Sequence, residues 1–110
     1  DHCGTLPILV KNGFQGKIYC TGPTAEIARY ILEDSSSLQE QDAIYFNKHY
    51  KNRRDWISPI YTKEDVKRTL GHFQEVPYFI FSNKWTQLNE NIRFKFYDAG
   101  HVLGSSITLL

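Results

Sequence analysis

The chain has 110 residues, 41% hydrophobic and 15% aromatic, which suffices for one domain with a core and argues against a disordered segment. Thirteen basic residues against twelve acidic ones leave a formal charge of +1, so any nucleic-acid affinity must come from a local patch rather than from the whole. Cys3 and Cys20 are too few for a disulfide scaffold and form no C-x-x-C pair, and no signal-peptide pattern or membrane-length apolar run appears; free thiols and a cytoplasmic location are the expectation.

Leu6-Pro-Ile-Leu-Val10 is a short apolar run ahead of the turn dipeptide Asn12-Gly13, and it predicts a short helix. Gly16-Lys-Ile-Tyr-Cys20 predicts a buried strand in which Cys20 is a small hydrophobe. Thr21-Gly22-Pro23 then marks a helix start, with proline just inside it. Ile27 with Ile31, and Ala28 with Leu32, recur at i, i+4, which predicts one apolar face packed on a sheet. Asp34-Ser-Ser-Ser37 predicts a break, since these side chains suit caps, and a second helix runs from Leu38 to Tyr50.

The one strong basic cluster is Lys48-His-Tyr-Lys-Asn-Arg-Arg54, with Tyr45, Tyr50 and Trp56 interleaved. Lys48, Lys51, Arg53 and Arg54 beside flat rings suit phosphate contact and base stacking. A solvated helix end, whose cations complement the helix dipole, is the blander alternative and the one the sequence favours. Thr62-Lys-Glu-Asp65 has the layout of a capping box, with Asp in the place of the usual Glu; Val66, Leu70 and Phe73 follow at helical spacing, toward an end near Gly71-His72. A histidine there is favoured by the dipole and calls for no catalytic role. Val76 to Phe81 predicts a strand, Trp85 to Leu88 its continuation to an edge, Asn89-Glu-Asn91 a turn, and Ile92 to Tyr97 a further strand. The order of elements predicts α/β layers.

Phe94 and Phe96 alternate, Ile107-Thr-Leu-Leu110 reads as the next strand, and the turn between them holds His101 bracketed by Gly100 and Gly104. Glycines that accept positive φ let such a turn aim an imidazole at a sheet end. Taken alone, a histidine in a turn is more often structural than a ligand.

Three segments in order change that reading: Asp1-His-Cys-Gly4, Asp34-Ser-Ser-Ser-Leu-Gln-Glu-Gln-Asp-Ala43 and Asp98-Ala-Gly-His101-Val-Leu-Gly-Ser-Ser106. Together they resemble the metallo-β-lactamase-fold nucleases of the β-CASP group, which includes ribonuclease J-type enzymes and the endonuclease that cuts pre-mRNA at its 3′ end. The resemblance covers nearly the whole chain. It implies an αβ/βα sandwich of which these residues form a part, two zinc ions that activate water and clamp a phosphodiester, and RNA as the partner. Asp1 and His2 match the last two residues of the H-x-H-x-D-H motif, where they bind one metal, and His101 matches a ligand of the other. In the family this segment runs near the metals, so Asp34 is a candidate for supporting contacts, although a cap role fits it better. A basic residue often follows the family's H-C-G, whereas Thr5 stands here, which puts a phosphate contact at that position in doubt.

The upstream H-x-H, the bridging aspartate, the final histidine and the β-CASP insertion are absent from these residues, and with no methionine present the expectation is a fragment of a longer protein. A catalytic zinc takes three protein ligands plus water, so neither half-site closes here; the chain alone is expected to be inactive and to bind metal weakly at most. Half of a layered domain also leaves a sheet face uncovered, which predicts exposed apolar surface and self-association. Serine or cysteine hydrolase chemistry finds no support, because Gly104-Ser105-Ser106 lacks the G-x-S-x-G elbow. Two alternatives stay open: a metallo-β-lactamase-fold hydrolase of a small ester or thioester, and a non-catalytic RNA-binding member.

Overall fold

The computed structural model describes residues 2–50 and 56–110. In chain order the elements are α1 (Leu6–Lys11), β1 (Ile18–Cys20), α2 (Gly22–His49), α3 (Lys63–Leu70), β2 (Phe73–Glu75), α4 (Phe79–Ser82), β3 (Thr86–Gln87), β4 (Arg93–Asp98) and β5 (Ser106–Leu109). This is the mixed α/β composition expected, sorted into two compact units: Asp1–Gly16 with Ala28–His72, and Lys17–Ile27 with Phe73–Leu110.

The first unit is helical. α1 carries Pro7 in its first turn, where a missing N–H costs nothing, and buries Pro7 and Val10. α3 opens on the predicted capping box: the Asp65 N–H donates to Thr62 Oγ1 at 3.3 Å and the Thr62 N–H donates to Asp65 Oδ2 at 2.9 Å. Leu32, Tyr61 and Val66 form the core, with Cys3, Ile8 and Leu70 packed around them.

α2 corrects the sequence reading, because the serines do not break it: one helix of 28 residues runs through Asp34-Ser-Ser-Ser37. The hydroxyls of Ser36 and Ser37 donate back to the Glu33 carbonyl, each at 2.9 Å, and Ser35 Oγ lies 2.8 Å from the Tyr61 hydroxyl. Each serine thus satisfies itself without leaving the helix, and Asp34 is an exposed mid-helix residue with no cap to make. The buried stripe is Ala28, Leu32, Ser36 and Ala43, while Ile27 and Ile31, expected to pack with it, stay about two-fifths exposed at 41% and 42%. The stripe is narrow, and positions one residue earlier turn about 100° away from it.

In the second unit, β1 and β2 pair in parallel with Tyr19 opposite Gln74, and the Val76 N–H extends the ladder to the Cys20 carbonyl at 2.8 Å. β3, β4 and β5 form an antiparallel sheet in that order, with Thr86 opposite Phe94 and Phe96 opposite Thr108. Val76, Phe94 and Phe96 make its core together with Tyr19 and Tyr78, and the Tyr19 and Phe94 rings meet edge-on at 5.1 Å.

The strand expected over Val76 to Phe81 lies earlier, at Phe73–Glu75, and takes Phe73 out of the preceding helix. Pro77, which has no N–H for a ladder, follows it, and the chain turns into the short α4, closed by Asn83 at φ 48°. The expected edge near Trp85 to Leu88 is β3. Apolar surface is exposed, as expected, on and just after β5: Ile107 and Leu109 of the strand and Leu110 beyond it all face solvent.

Candidate functional site

The turn between β4 and β5 is built so that its base is fixed and its tip is open. Asp98 ends β4 opposite Ser106, and its Oδ1 accepts the Gly100 N–H at 2.8 Å, which turns the chain as Gly100 passes through φ 63°. Gly104, at φ 92°, sits against the start of α2: its carbonyl accepts Thr21 Oγ1 at 2.8 Å and Thr24 Oγ1 at 2.9 Å. A Cβ at Gly104 would lie 2.5 Å from Thr24 Oγ1 and 2.7 Å from the Thr24 nitrogen, so only glycine allows this approach. The Tyr78 hydroxyl donates to the Ser105 carbonyl at 2.9 Å. Three hydroxyls therefore hold the two residues that close the turn, while His101, Val102 and Leu103 are exposed at its tip. Among the described residues the His101 ring has no hydrogen-bond or ring partner, which leaves its nitrogens open to a ligand.

His2 is exposed in the turn before α1, in the first unit, whereas His101 belongs to the second. Asp1 lies outside the described residues, as do Lys51, Arg53 and Arg54 of the basic cluster; Lys48 is exposed in the last turn of α2. Among the described residues, no three His, Cys, Asp or Glu side chains gather closely enough to hold a metal ion. On their own the described residues do not fit a zinc site. No helix among them is long and apolar enough to cross a membrane.

No protein-family profile matches the chain. Individual relatives do, along its full length. The RNase J-like protein of Methanocaldococcus jannaschii is 33% identical over 106 residues, 96% of this chain and 19% of the relative. Transcription termination factor FttA of the same organism is 29% identical over 110 residues, 100% of this chain and 15% of the relative. Endoribonuclease YSH1 of Gibberella zeae is 28% identical over 111 residues, 100% of this chain and 12% of the relative. The chain belongs to the β-CASP group of metallo-β-lactamase-fold proteins. It spans between about an eighth and a fifth of the length of these relatives.

Two groups of this β-CASP segment are shifted by their surroundings. Burial, with the Glu75 carboxylate second, pushes the Cys20 thiol up, which keeps it protonated and unreactive. The Thr62 N–H, the Arg68 guanidinium and the Thr62 hydroxyl hold the Asp65 carboxyl below the ordinary carboxylate range against the opposing effect of burial.

Two features went unread in the sequence. A groove of 550 Å³ runs along the C-terminal half of α2, lined by Ala43, Ile44, Lys48, Trp56, Ile57 and Pro59 among others. Only Lys48 and Trp56 carried a signal, because the apolar lining comes from a helix face that looks solvated and from a segment without periodicity. The second is Lys95, buried on the face of β4 opposite Phe94 and Phe96, with Nζ 3.9 Å from the ring centre of Phe79, 4.4 Å from that of Trp85 and 5.0 Å from that of Tyr97. Tyr97 is its neighbour two residues along β4, but Phe79 lies in α4 and Trp85 just before β3, so the sequence around Lys95 shows only one of the three rings.

Proposed function

We propose that this chain is part of an RNA nuclease that hydrolyses phosphodiester bonds with zinc-activated water. Its helices and strands would belong to an αβ/βα sandwich completed by residues outside these 110. The observation that carries the reading is the similarity of this chain, along nearly all its residues, to segments of proteins named as an RNase J-like protein and an endoribonuclease, joined to a D-A-G-H turn whose base is fixed and whose histidine is open.

His101 supplies one zinc-ligating nitrogen, Asp1 and His2 contribute to a second ion, and the remaining ligands come from elsewhere in the longer protein. The 110 residues alone hydrolyse no RNA. Lys48, Lys51, Arg53 and Arg54 contact RNA phosphates, and the protein works in the cytoplasm. The isolated chain self-associates through the exposed Ile107 and Leu109 of β5, an apolar strand edge that favours pairing.

The test is RNA hydrolysis by the full product of the reading frame that holds this chain, beside its His101→Ala variant and a metal-stripped sample. Loss of a mere supporting partner of a metal ligand typically costs about 10–100-fold, so His101→Ala is expected to lose at least that much activity, with metal content falling alongside. Unchanged hydrolysis in the variant, or full activity without metal, rejects the proposal.

A further inference from the structure

We propose that Thr24 and Tyr78 are positioning residues for His101, acting on the imidazole through the backbone carbonyls of Gly104 and Ser105. This deepens the reading of His101 given above and rests on it.

The turn restrains its own histidine weakly. Within it the Ser105 N–H donates to the Val102 carbonyl at 2.9 Å, and the Ala99 N–H reaches the Ser105 carbonyl only at 3.4 Å. Gly100 and Gly104, both at positive φ, flank the tip, and glycine restricts the backbone less than any other residue. His101, Val102 and Leu103 are exposed between them, so packing does not hold the ring. The position of the imidazole is then set by where the carbonyls of Gly104 and Ser105 are held.

Both carbonyls are held by hydroxyls on firm supports. Thr24 stands in the first turn of α2 and donates to the Gly104 carbonyl at 2.9 Å, an approach that the missing Cβ of Gly104 permits. The Tyr78 ring packs on the Val76, Phe94 and Phe96 core, its backbone bridges Phe96, and its hydroxyl donates to the Ser105 carbonyl at 2.9 Å. Neither hydroxyl is needed to satisfy its acceptor. Without Thr24 the Gly104 carbonyl keeps Thr21 Oγ1 at 2.8 Å, and without Tyr78 the Ser105 carbonyl keeps the Ala99 N–H. Losing one of them strands no buried acceptor, so folding suffers little. What is lost is the second bond on each carbonyl, and a group held by one bond can swing where two would fix it. Thr21 differs, because its oxygen also accepts the Thr24 N–H at 3.4 Å at the start of α2, so its removal would disturb the helix as well. The Tyr78 side chain makes no such cap bond to α4.

The experiment uses the full product of the reading frame that holds this chain, with Tyr78→Phe, Thr24→Val and Thr24→Ser. It reads kcat and KM for RNA hydrolysis, the urea midpoint, and backbone hydrogen exchange by peptide mass over residues 99–105, where the N–H groups of Ala99, Gly100 and Ser105 are bonded. Tyr78→Phe and Thr24→Val are each expected to lower kcat about 10- to 100-fold at an unchanged KM and midpoint. Thr24→Ser, which keeps the hydroxyl, is expected to restore kcat. Exchange over 99–105 is expected to rise about tenfold in the Phe and Val variants and nowhere else. Exchange in the turn equal to wild type overturns the proposal, as does an unchanged kcat, a kcat loss that Thr24→Ser fails to reverse, or one that follows a fallen midpoint. If the longer wild-type protein leaves RNA uncut, the nuclease reading fails, and exchange over 99–105 alone then decides whether Thr24 and Tyr78 position His101.

Discussion

The α3 cap and the back-bonded serines of the first unit, and the His101 turn of the second, settle their polar groups over different distances along the chain. In the first, Thr62 and Asp65 cap α3 across three residues, Thr69 Oγ1 reaches the Asp65 carbonyl four residues back, and Ser36 and Ser37 return to Glu33. In the second, Thr21 reaches Gly104 across 83 positions and Tyr78 reaches Ser105 across 27. Local partners make helices that hold their form residue by residue, whereas the turn around His101 exists only once distant segments have met. A ligand aimed by such a turn depends on the fold of its whole unit.

The contrast can be broken first at the two cores. Phe94→Ala, 3% exposed in the wild type, is expected to cost about 3–5 kcal/mol, and Leu32→Ala, fully buried, about 2–5 kcal/mol. Urea midpoints at constant m-value measure both, and a cost below 1 kcal/mol at either site would remove it from the core. Gly104→Ala comes next: the backbone handedness at φ 92° alone costs about 1–2 kcal/mol, and the overlap with Thr24 adds to it. The same substitution at Gly4, which meets nothing within 4 Å and lacks a positive φ, serves as the control.

Thr62→Ala sharpens the local side and is expected to cost about 1 kcal/mol through the lost cap. Its partner Asp65 has a lowered pKa, so its contribution is present above the unfolded value of about 3.9 and fades as pH falls through the folded value. Asp65→Asn is therefore expected to flatten the acid limb of a stability–pH curve, and an unchanged limb would contradict the assignment. The smallest effects belong to exposed positions. Ile31→Gln and His101→Ala should each leave stability within about 0.5 kcal/mol, which separates the role proposed for His101 from any part in folding.

The sequence was most readable where interactions are short. The capping box at Thr62, the proline start of α1, the Asn89 turn and the positive φ values of Gly100 and Gly104 each depend on a few neighbouring residues. The serines of α2 misled because the same hydroxyl that caps a helix also bonds back within one, and Tyr61, far along the chain, supplied Ser35 with a partner. β2 moved because Pro77 decided the end of a strand whose apolar residues extended past it. The turn at His101 was legible from its motif, but the hydroxyls that anchor it were not, since Thr21, Thr24 and Tyr78 each read as ordinary residues of other elements.

The ammonium of Lys95 lies under three rings, while Lys17, Lys63, Lys67 and Lys84 stand in water. An amine-reactive reagent should acylate those four promptly and reach Lys95 only when β4 separates from Phe79 and Trp85. Its modification rate, followed by peptide mass, would then serve as a chemical clock for the opening of the sheet that carries His101.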